Sequence, residues 1–478
     1  MDWVLPVAEV NRISVKAHEG LLVGASDSYS VGDLLMPHVL TRLLNFSRLR
    51  CAGMTRVDFT SVGGHSVRNY GESALEMGGK DLQLVHFGGE TLSRKLTSGY
   101  AAVATGEESE RFESLAAIGS EEEILRYVRR RTGQLDDLAY VLAAEGEFYG
   151  ARSSFHAVGL SEPERLDESA RQRLVSILKG ADFVGIRDEV GASFLENCGV
   201  TVQRMPCGLS VIPQTCARQL REHRDGDAME EIRHRFPNGW VAVEIGDVER
   251  GDFDRLAQAL REVADREGLG LVFFEARKQE PGAPSPKLRR WVDAFPEWEA
   301  AAFGSDNIWE IASLLLHSRL YCGTCLSCRV IAMSGGVARV NLPTGDPSVR
   351  SYCELWENDS VPIELPREEA WEEALTRALE VDFSTLQDHA TKLHGQYFDS
   401  FEKFCRATGL SPRLAASRPE TTPHVRASAA GHHLNDEWLD DSENRRLFRK
   451  LNRGSKKRFD PGSAAKSIRK RFGARPSV

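Results

Sequence analysis

The chain has 478 residues, of which 41% are apolar and 27% charged, with a formal net charge of −9. That length gives two or three domains with ample core, and no run of about 18 apolar residues offers a transmembrane helix. Nine cysteines, an odd count, and an N-terminal stretch without the apolar core of a signal peptide point to reduced thiols in a cytoplasmic chain, not to a disulfide scaffold.

Taken in chain order, the first elements alternate strand and helix. Residues 20–25 (GLLVGA) read as a short strand ending in a Gly/Ser/Asp loop, and 33–44 as a helix with Leu34, Leu35, Val39, Leu40 and Leu43 on helical spacing. Strands follow at 82–87 (LQLVHF, closed by two glycines), 156–160 and 183–186, with a helix at 166–179; residues 139–143 fit helix or strand equally. A charged helical stretch at 215–235 then interrupts the pattern. A second series begins at Trp240 with WVAVEIG, a helix at 254–267, a strand at 269–274, a helix at 308–316, a short strand at 319–321, a helix starting at 329 and a strand at 338–342. Repeated strand–loop–helix units mean parallel sheets covered on both faces. The expected fold is therefore α/β, two Rossmann-like lobes with a central cleft: lobe one at 1–212, a linker helix at 213–236 and lobe two at 237–380. Residues 383–408 read as one long amphipathic helix stopped by Gly409, within a 381–410 segment.

Residues 411–478 read as a linker and a basic tail. From Asn444 to Val478 there are 13 Lys and Arg, running from Arg445 to Arg475, against the single acid Asp460. The tail therefore carries +12 and the rest of the chain −21. The plain reading is a solvated tail or one folded back on the acidic body; the alternative is peripheral contact with an anionic membrane, at the inner face. Nothing in it specifies a nucleic-acid partner.

Four motifs fall where strands hand over to helices, the place ligands occupy in such sheets. Ser30-Val31-Gly32-Asp33 opens the first helix. Gly32 would let backbone N–H groups approach an anion and Asp33 could orient a hydroxyl, or Asp33 simply sits in the first turn of its helix. Gly88-Gly89-Glu90-Thr91 leaves room at a strand end, with Glu90 as a base or a sugar-hydroxyl ligand, or forms a tight turn with a solvated Glu. Arg187-Asp188 follows the 183–186 strand, and a strand-end Arg facing a cleft suits phosphate or carboxylate; the plain alternative is a surface ion pair. Cys322, Cys325 and Cys328 have the C-x₂-C-x₂-C spacing that invites an iron–sulfur reading, but the fourth position of that pattern is Ala332, and buried cysteines also serve as small hydrophobes. No metal site is expected.

Taken together, these segments resemble the polysaccharide pyruvyl transferase family. The matching stretches are SVGD at 30–33, the strand and paired glycines at 84–90, ADFVGIRDEVGASFLENCGV at 181–200 and the run at 309–342. The resemblance implies a two-lobed, GT-B-like fold. It implies transfer of the enolpyruvyl group of phosphoenolpyruvate onto two hydroxyls of a sugar or glycan acceptor, giving a pyruvate ketal, in surface-glycan or related biosynthesis. No cofactor is implied. Arg187 matches the donor-binding Arg, and Cys325, Leu326 and Ser327 fall on the family's Arg/Ser-Leu-His segment. Gly32, Gly88, Gly89 and Thr324 would complete the donor site, with Ser327, Asp33 and Glu90 as catalytic candidates.

The sequence departs from that pattern in places. Ser327 stands at the family's His and Cys328 at the following Gly, Pro206-Cys207 stands where Pro-Asp is usual, and Gly336-Val337-Ala338 lacks the usual Pro. A serine cannot act as an acid near neutral pH. His317, one helix earlier, is a possible spatial substitute, and Cys325 or Cys328 could donate a proton if its pKa were lowered. Two other readings follow: a GT-B-type glycosyltransferase using a nucleotide sugar, and a non-catalytic homologue that kept the cleft and lost the acid.

Overall fold

The computed structural model describes residues 18–77, 81–246, 252–282, 285–296, 298–344, 346–366 and 370–413. The basic tail lies outside the described residues. In chain order the strands are β1 (Glu19–Val23), β2 (Tyr29–Ser30), β3 (Arg48–Gly53), β4 (Val57–Asp58), β5 (Ser66–Asn69), β6 (Leu82–Phe87), β7 (Arg152–Val158), β8 (Phe183–Ile186), β9 (Gln203–Arg204), β10 (Trp240–Glu244), β11 (Gly270–Phe274), β12 (Arg277–Lys278), β13 (Ala300–Ala302), β14 (Leu320–Gly323) and β15 (Ala338–Asn341). Six helices matter for the site: α1 (Val31–Leu43), α2 (Glu189–Asn197), α3 (Ile308–Leu316), α4 (Leu326–Ser334), α5 (Ser348–Trp356) and α6 (Phe383–Thr408).

Two sheets carry the chain. The first runs β4-β5-β3-β1-β6-β7-β8-β9, parallel except at the β4–β5 edge, and the second runs β13-β11-β10-β14-β15, parallel throughout. Every residue of β6 and of β10 is buried, as in sheets covered by helices on both faces. The fold is α/β with two Rossmann-like lobes, a GT-B-like layout.

A third, two-stranded sheet joins the lobes. β2, in the loop before α1, pairs antiparallel with β12, in the loop after β11, matching Ser30 with Arg277 and Tyr29 with Lys278. Arg277-Lys278 sits directly after LVFFEA, and the pairing aligns the N-terminus of α1 with lobe two. The Val31 N–H donates to Ala276 O at 2.9 Å, extending the tie. An apolar core runs unbroken from Leu22 and Val31 in lobe one to Tyr321, Leu326 and Tyr352 in lobe two.

The long helix α6 spans the predicted residues and ends at Gly409, whose φ of 69° is the left-handed stop that a side chain disfavours. It bridges the lobes. Gln387 Nε2 donates to Gly335 O at 2.9 Å in lobe two, and Tyr397 Oη lies 3.0 Å from His156 Nε2 in lobe one.

Three sequence expectations need correction. Residues 139–143 are neither helix nor strand; the buried Gln134 amide donates to Leu138 O and Val141 O, and His86 Nε2 accepts from Leu142 N, so side chains replace the ladder. The 215–235 stretch is not one helix, but Ile212–Thr215, Ala217–Arg224 and Asp227–Arg235, broken at Cys216 and again at Asp225-Gly226. The helix expected to start at 329 starts at Leu326, with Cys325 as its N-cap residue, which puts Leu326 and Ser327 in the first turn.

Candidate functional site

The predicted residues converge where the carboxyl ends of β6, β7 and β8 meet the N-termini of α1 and α4. Gly88 turns the chain after β6 with φ 111°, a conformation that only glycine adopts easily. A Cβ there would lie 3.5 Å from Asp33 Oδ1, so the Asp33 carboxylate faces the Gly88 turn from the first turn of α1. Gly89 is equally forced: a Cβ would stand 3.3 Å from Arg187 Nη2.

Arg187 is enclosed, only 5% exposed. Its Nη2 donates to Glu90 Oε1 at 3.1 Å, while Glu90 Oε2 accepts from Ser161 N at 2.7 Å. Burial works against the Arg187 charge, but Glu90, Cys207 and Asp188 hold the guanidinium above its ordinary pKa. Its Nε is buried and has no partner. Asp188 faces away, accepting from Leu160 N at 2.9 Å and Gly191 N at 2.7 Å as the N-cap of α2. Burial first, then the Glu90 charge, raise its carboxyl to about 6. Lobe two closes over this corner, where Trp356 Nε1 donates to Arg187 O at 2.7 Å.

On the lobe-two side, Thr324 and Cys325 do not leave their N–H groups free. Glu244, buried at the end of β10, accepts from Thr324 N (2.8 Å), Thr324 Oγ1 (2.9 Å) and Cys325 N (3.1 Å). Burial raises the Glu244 carboxyl. An internal carboxylate thus fills the turn that the sequence assigned to a donor. Leu326 is buried in the core. Ser327 packs on α1: a Cβ added to Gly32 would overlap Ser327 Oγ and Cβ. The first turns of α1 and α4 therefore meet face to face at Gly32 and Ser327. His317 is elsewhere. It caps the end of α3 before β14, whereas Ser327 follows β14, so the two sit at opposite ends of that strand.

Sequence reasoning missed Arg277. It stands on β12 opposite Ser30, its side chain is exposed, and no hydrogen bond or ion pair joins its guanidinium among the described residues. The groups acting on it are the Cys325 thiol first, then Asp33, Glu244 and Asp346, which hold it above its ordinary pKa against the cost of burial in the groove. The signal available was the basic pair immediately after the strand Gly270–Phe274. Reading it needed the β2–β12 pairing, which no local pattern encodes. Glu244, closing WVAVE, was the other omission.

The assembled arrangement is a line of groups from Arg187 and Glu90 through Gly88 and Asp33 to Gly32, Ser327 and Arg277. It offers an unpaired cation beside two helix N-termini, a carboxylate facing an open glycine turn and one orphan guanidinium N–H. These suit an anion and a hydroxyl held side by side. A separate pocket of about 1020 Å³ opens on lobe two between Thr344, Arg350, Glu354 and Ile363, and none of the motif residues lines it. Among the described residues, no group of three or more His, Cys, Asp or Glu is arranged to hold a metal ion. Cys322, Cys325 and Cys328 form no such set, and no helix there is long and apolar enough to cross a membrane.

No family model matches the chain, and no curated protein matches it. Solved structures with a similar chain layout include UDP-N-acetylglucosamine 2-epimerase from Rickettsia bellii (9% identity, 82% of this chain and 98% of that chain, TM-score 0.39). They also include the Methanocaldococcus jannaschii UDP-GlcNAc 2-epimerase (9%, 76% and 93%, TM-score 0.43) and a UDP-forming α,α-trehalose-phosphate synthase from Burkholderia xenovorans (12%, 71% and 75%, TM-score 0.41). Scores of this size carry no conclusion about family or reaction; the two-lobed fold stands on the sheets themselves.

Proposed function

We propose that this chain is a group-transfer enzyme whose donor carries phosphate and whose acceptor is a sugar or glycan hydroxyl, the donor being a nucleotide sugar. The observation that carries the reading is Arg277, an unpaired guanidinium beside the facing N-termini of α1 and α4. A diphosphate leaves as a stabilised anion, so a cation and two helix dipoles can support its departure without a proton donor. Transfer from phosphoenolpyruvate needs more, because the donor methylene must be protonated before C2 becomes an electrophile. The family's His position is Ser327, wedged against Gly32, and His317 is at the far end of β14. In this reading Arg277 neutralises the departing phosphate and Asp33 takes the proton of the attacking hydroxyl across the Gly88 turn.

Phosphoenolpyruvate is the second reading, favoured by the orphan Nε of the buried Arg187 at the end of β8. Thermal shift with UDP-, GDP- and CMP-sugars and with phosphoenolpyruvate, on the wild type and on Arg277→Ala, separates the two. A ligand at a hundred times its Kd stabilises the fold by about 2.7 kcal/mol. Stabilisation by a nucleotide sugar that Arg277→Ala loses supports the first reading. Stabilisation by phosphoenolpyruvate alone moves the assignment to the second, and no response to any of the four overturns both.

A further inference from the structure

Cys325 is the N-cap residue of α4 and Cys328 is the third residue of its first turn. In that geometry the N-cap side chain folds over the residue three places on, the relation used by capping boxes. Here the two side chains are thiols in hydrogen-bonding contact with each other. They are also unequal. The Cys328 thiol and Arg277 hold the Cys325 thiol below its ordinary pKa, against the opposing effect of burial. Burial pushes Cys328 well above its own. Cys325 thus faces the groove beside Arg277, with Cys328 fully buried behind it.

The other thiols differ. Cys51, Cys322 and Cys405 are pushed by burial to about 12, and Cys216 and Cys353 to about 11. Cys207 is also raised by burial, and Cys198 is half-buried. Reactive thiols are those with thiolate character in an electropositive, partly accessible setting. Among the nine, only the Cys325–Cys328 pair joins that setting to a second thiol within reach.

We propose that Cys325 and Cys328 are a redox-active dithiol that closes to an intramolecular disulfide by exchange with a small-molecule disulfide. The Cys325 thiolate attacks one sulfur of the oxidant. The oxidant's S–S bond breaks, a mixed disulfide forms on Cys325, and one small thiolate leaves and takes up the proton that Cys325 released. Cys328 then attacks the Cys325 sulfur, expelling the second small thiolate, which takes the Cys328 proton. Two electrons pass from the protein dithiol to the oxidant, which departs as two thiols. The product removes the sulfur charge that faces Arg277 and locks the first turn of α4 against Gly32. It does not depend on what the groove binds.

The test uses the full chain in its reduced form, incubated with glutathione disulfide and trapped in acid. Intact mass should fall by two hydrogens and recover on treatment with dithiothreitol. Trypsin releases residues 320–329, which contain Cys322, Cys325 and Cys328 together. Fragmentation of that peptide should be silent between Cys325 and Cys328 and normal between Cys322 and Cys325. Cys328→Ser should instead retain one glutathione on Cys325, and Cys325→Ser should neither lose the hydrogens nor gain glutathione in this peptide. The wild-type measurement is decisive even if a variant misfolds. An unchanged mass, glutathione confined to Cys198, or a bond that includes Cys322 overturns the proposal.

Discussion

Arg187 Nη2 lies 3.1 Å from Glu90 Oε1, joining the end of β8 to the turn after β6, and the Arg side chain is almost wholly buried while that of Glu90 is about a quarter exposed. Removing one partner of such a pair leaves a charge without compensation, at a cost of about 3–5 kcal/mol. Glu90→Ala should therefore lower the urea midpoint sharply. Arg187→Ala should cost less, because the stranded carboxylate keeps Ser161 N and can reach water. The order of the two midpoints is the check; equal, wild-type-like values would mean the pair does not hold this corner.

Gly32 and Ser327 form the closest approach between the two helix N-termini. Overpacking a closed contact typically costs about 1–3 kcal/mol. Gly32→Ala should lose that much, and Gly32→Ala with Ser327→Gly should recover most of it, because both overlapping atoms of Ser327 are gone. Ser327→His, which restores the family residue, should destabilise the chain and give no pyruvyl transfer. A double-mutant cycle by chemical denaturation reads the coupling; additive losses would show that the two helices can part at no cost.

Glu357 is gripped by two fully buried guanidiniums: Arg329 Nη2 at 2.7 Å and Arg339 Nη2 at 2.5 Å, with His389 nearby. Burial alone would raise its carboxyl, but Arg339 and Arg329 outweigh that and hold it at about 2. A depressed acid contributes stability that is present above its unfolded pKa and lost as pH falls through the folded value. The contribution should be complete above about pH 4.5 and disappear toward pH 2. Glu357→Gln should cost about 3–5 kcal/mol at neutral pH and flatten the profile in that window. A variant whose stability still falls with the wild-type slope there would remove Glu357 as the cause.

The alternation of strand and helix was legible because parallel strands buried on both faces read as continuous apolar runs: LQLVHF and WVAVE could be little else. α6 was legible end to end because Phe383, Leu386, Leu393, Tyr397, Phe401 and Phe404 keep one face and Gly409 stops it. β3 was not, because Arg48 and Arg50 interrupt its apolar pattern. The glycine turns at 32 and 88–89 were visible as breaks after strands. Which side chains meet there depends on the β2–β12 pairing and on Glu244 reaching the 324–325 turn, contacts between lobes that no window of sequence contains. Arg187 looked like an open strand-end cation because its cover, Trp356, comes from the other lobe.

Histidines set the remaining pH dependence. His86, His156 and His394 are buried, and burial is the first cause holding each at about 4. A buried neutral histidine binds no proton in the folded state until well below the unfolded value near 6.5, so the unfolded chain takes up protons first. Stability from each is therefore present above pH 6.5 and lost as pH falls toward 4, by about 3 kcal/mol for a shift of that size. Their sum makes a steep fall across this window, above the one governed by Glu357. His156 is the informative site, since Tyr397, Phe401 and Phe404 of α6 enclose its ring and Tyr397 Oη is its partner at 3.0 Å. His156→Phe keeps the aromatic packing, leaves the Tyr397 hydroxyl unpaired at a cost of about 1–3 kcal/mol at pH 7, and removes the titration. The melting temperature of His156→Phe should lie below the wild type at pH 7 and close the gap by pH 4.5. A gap that is constant across that range would mean that His156 is already charged in the folded chain, and that α6 is held to lobe one by an ion rather than by apolar contact.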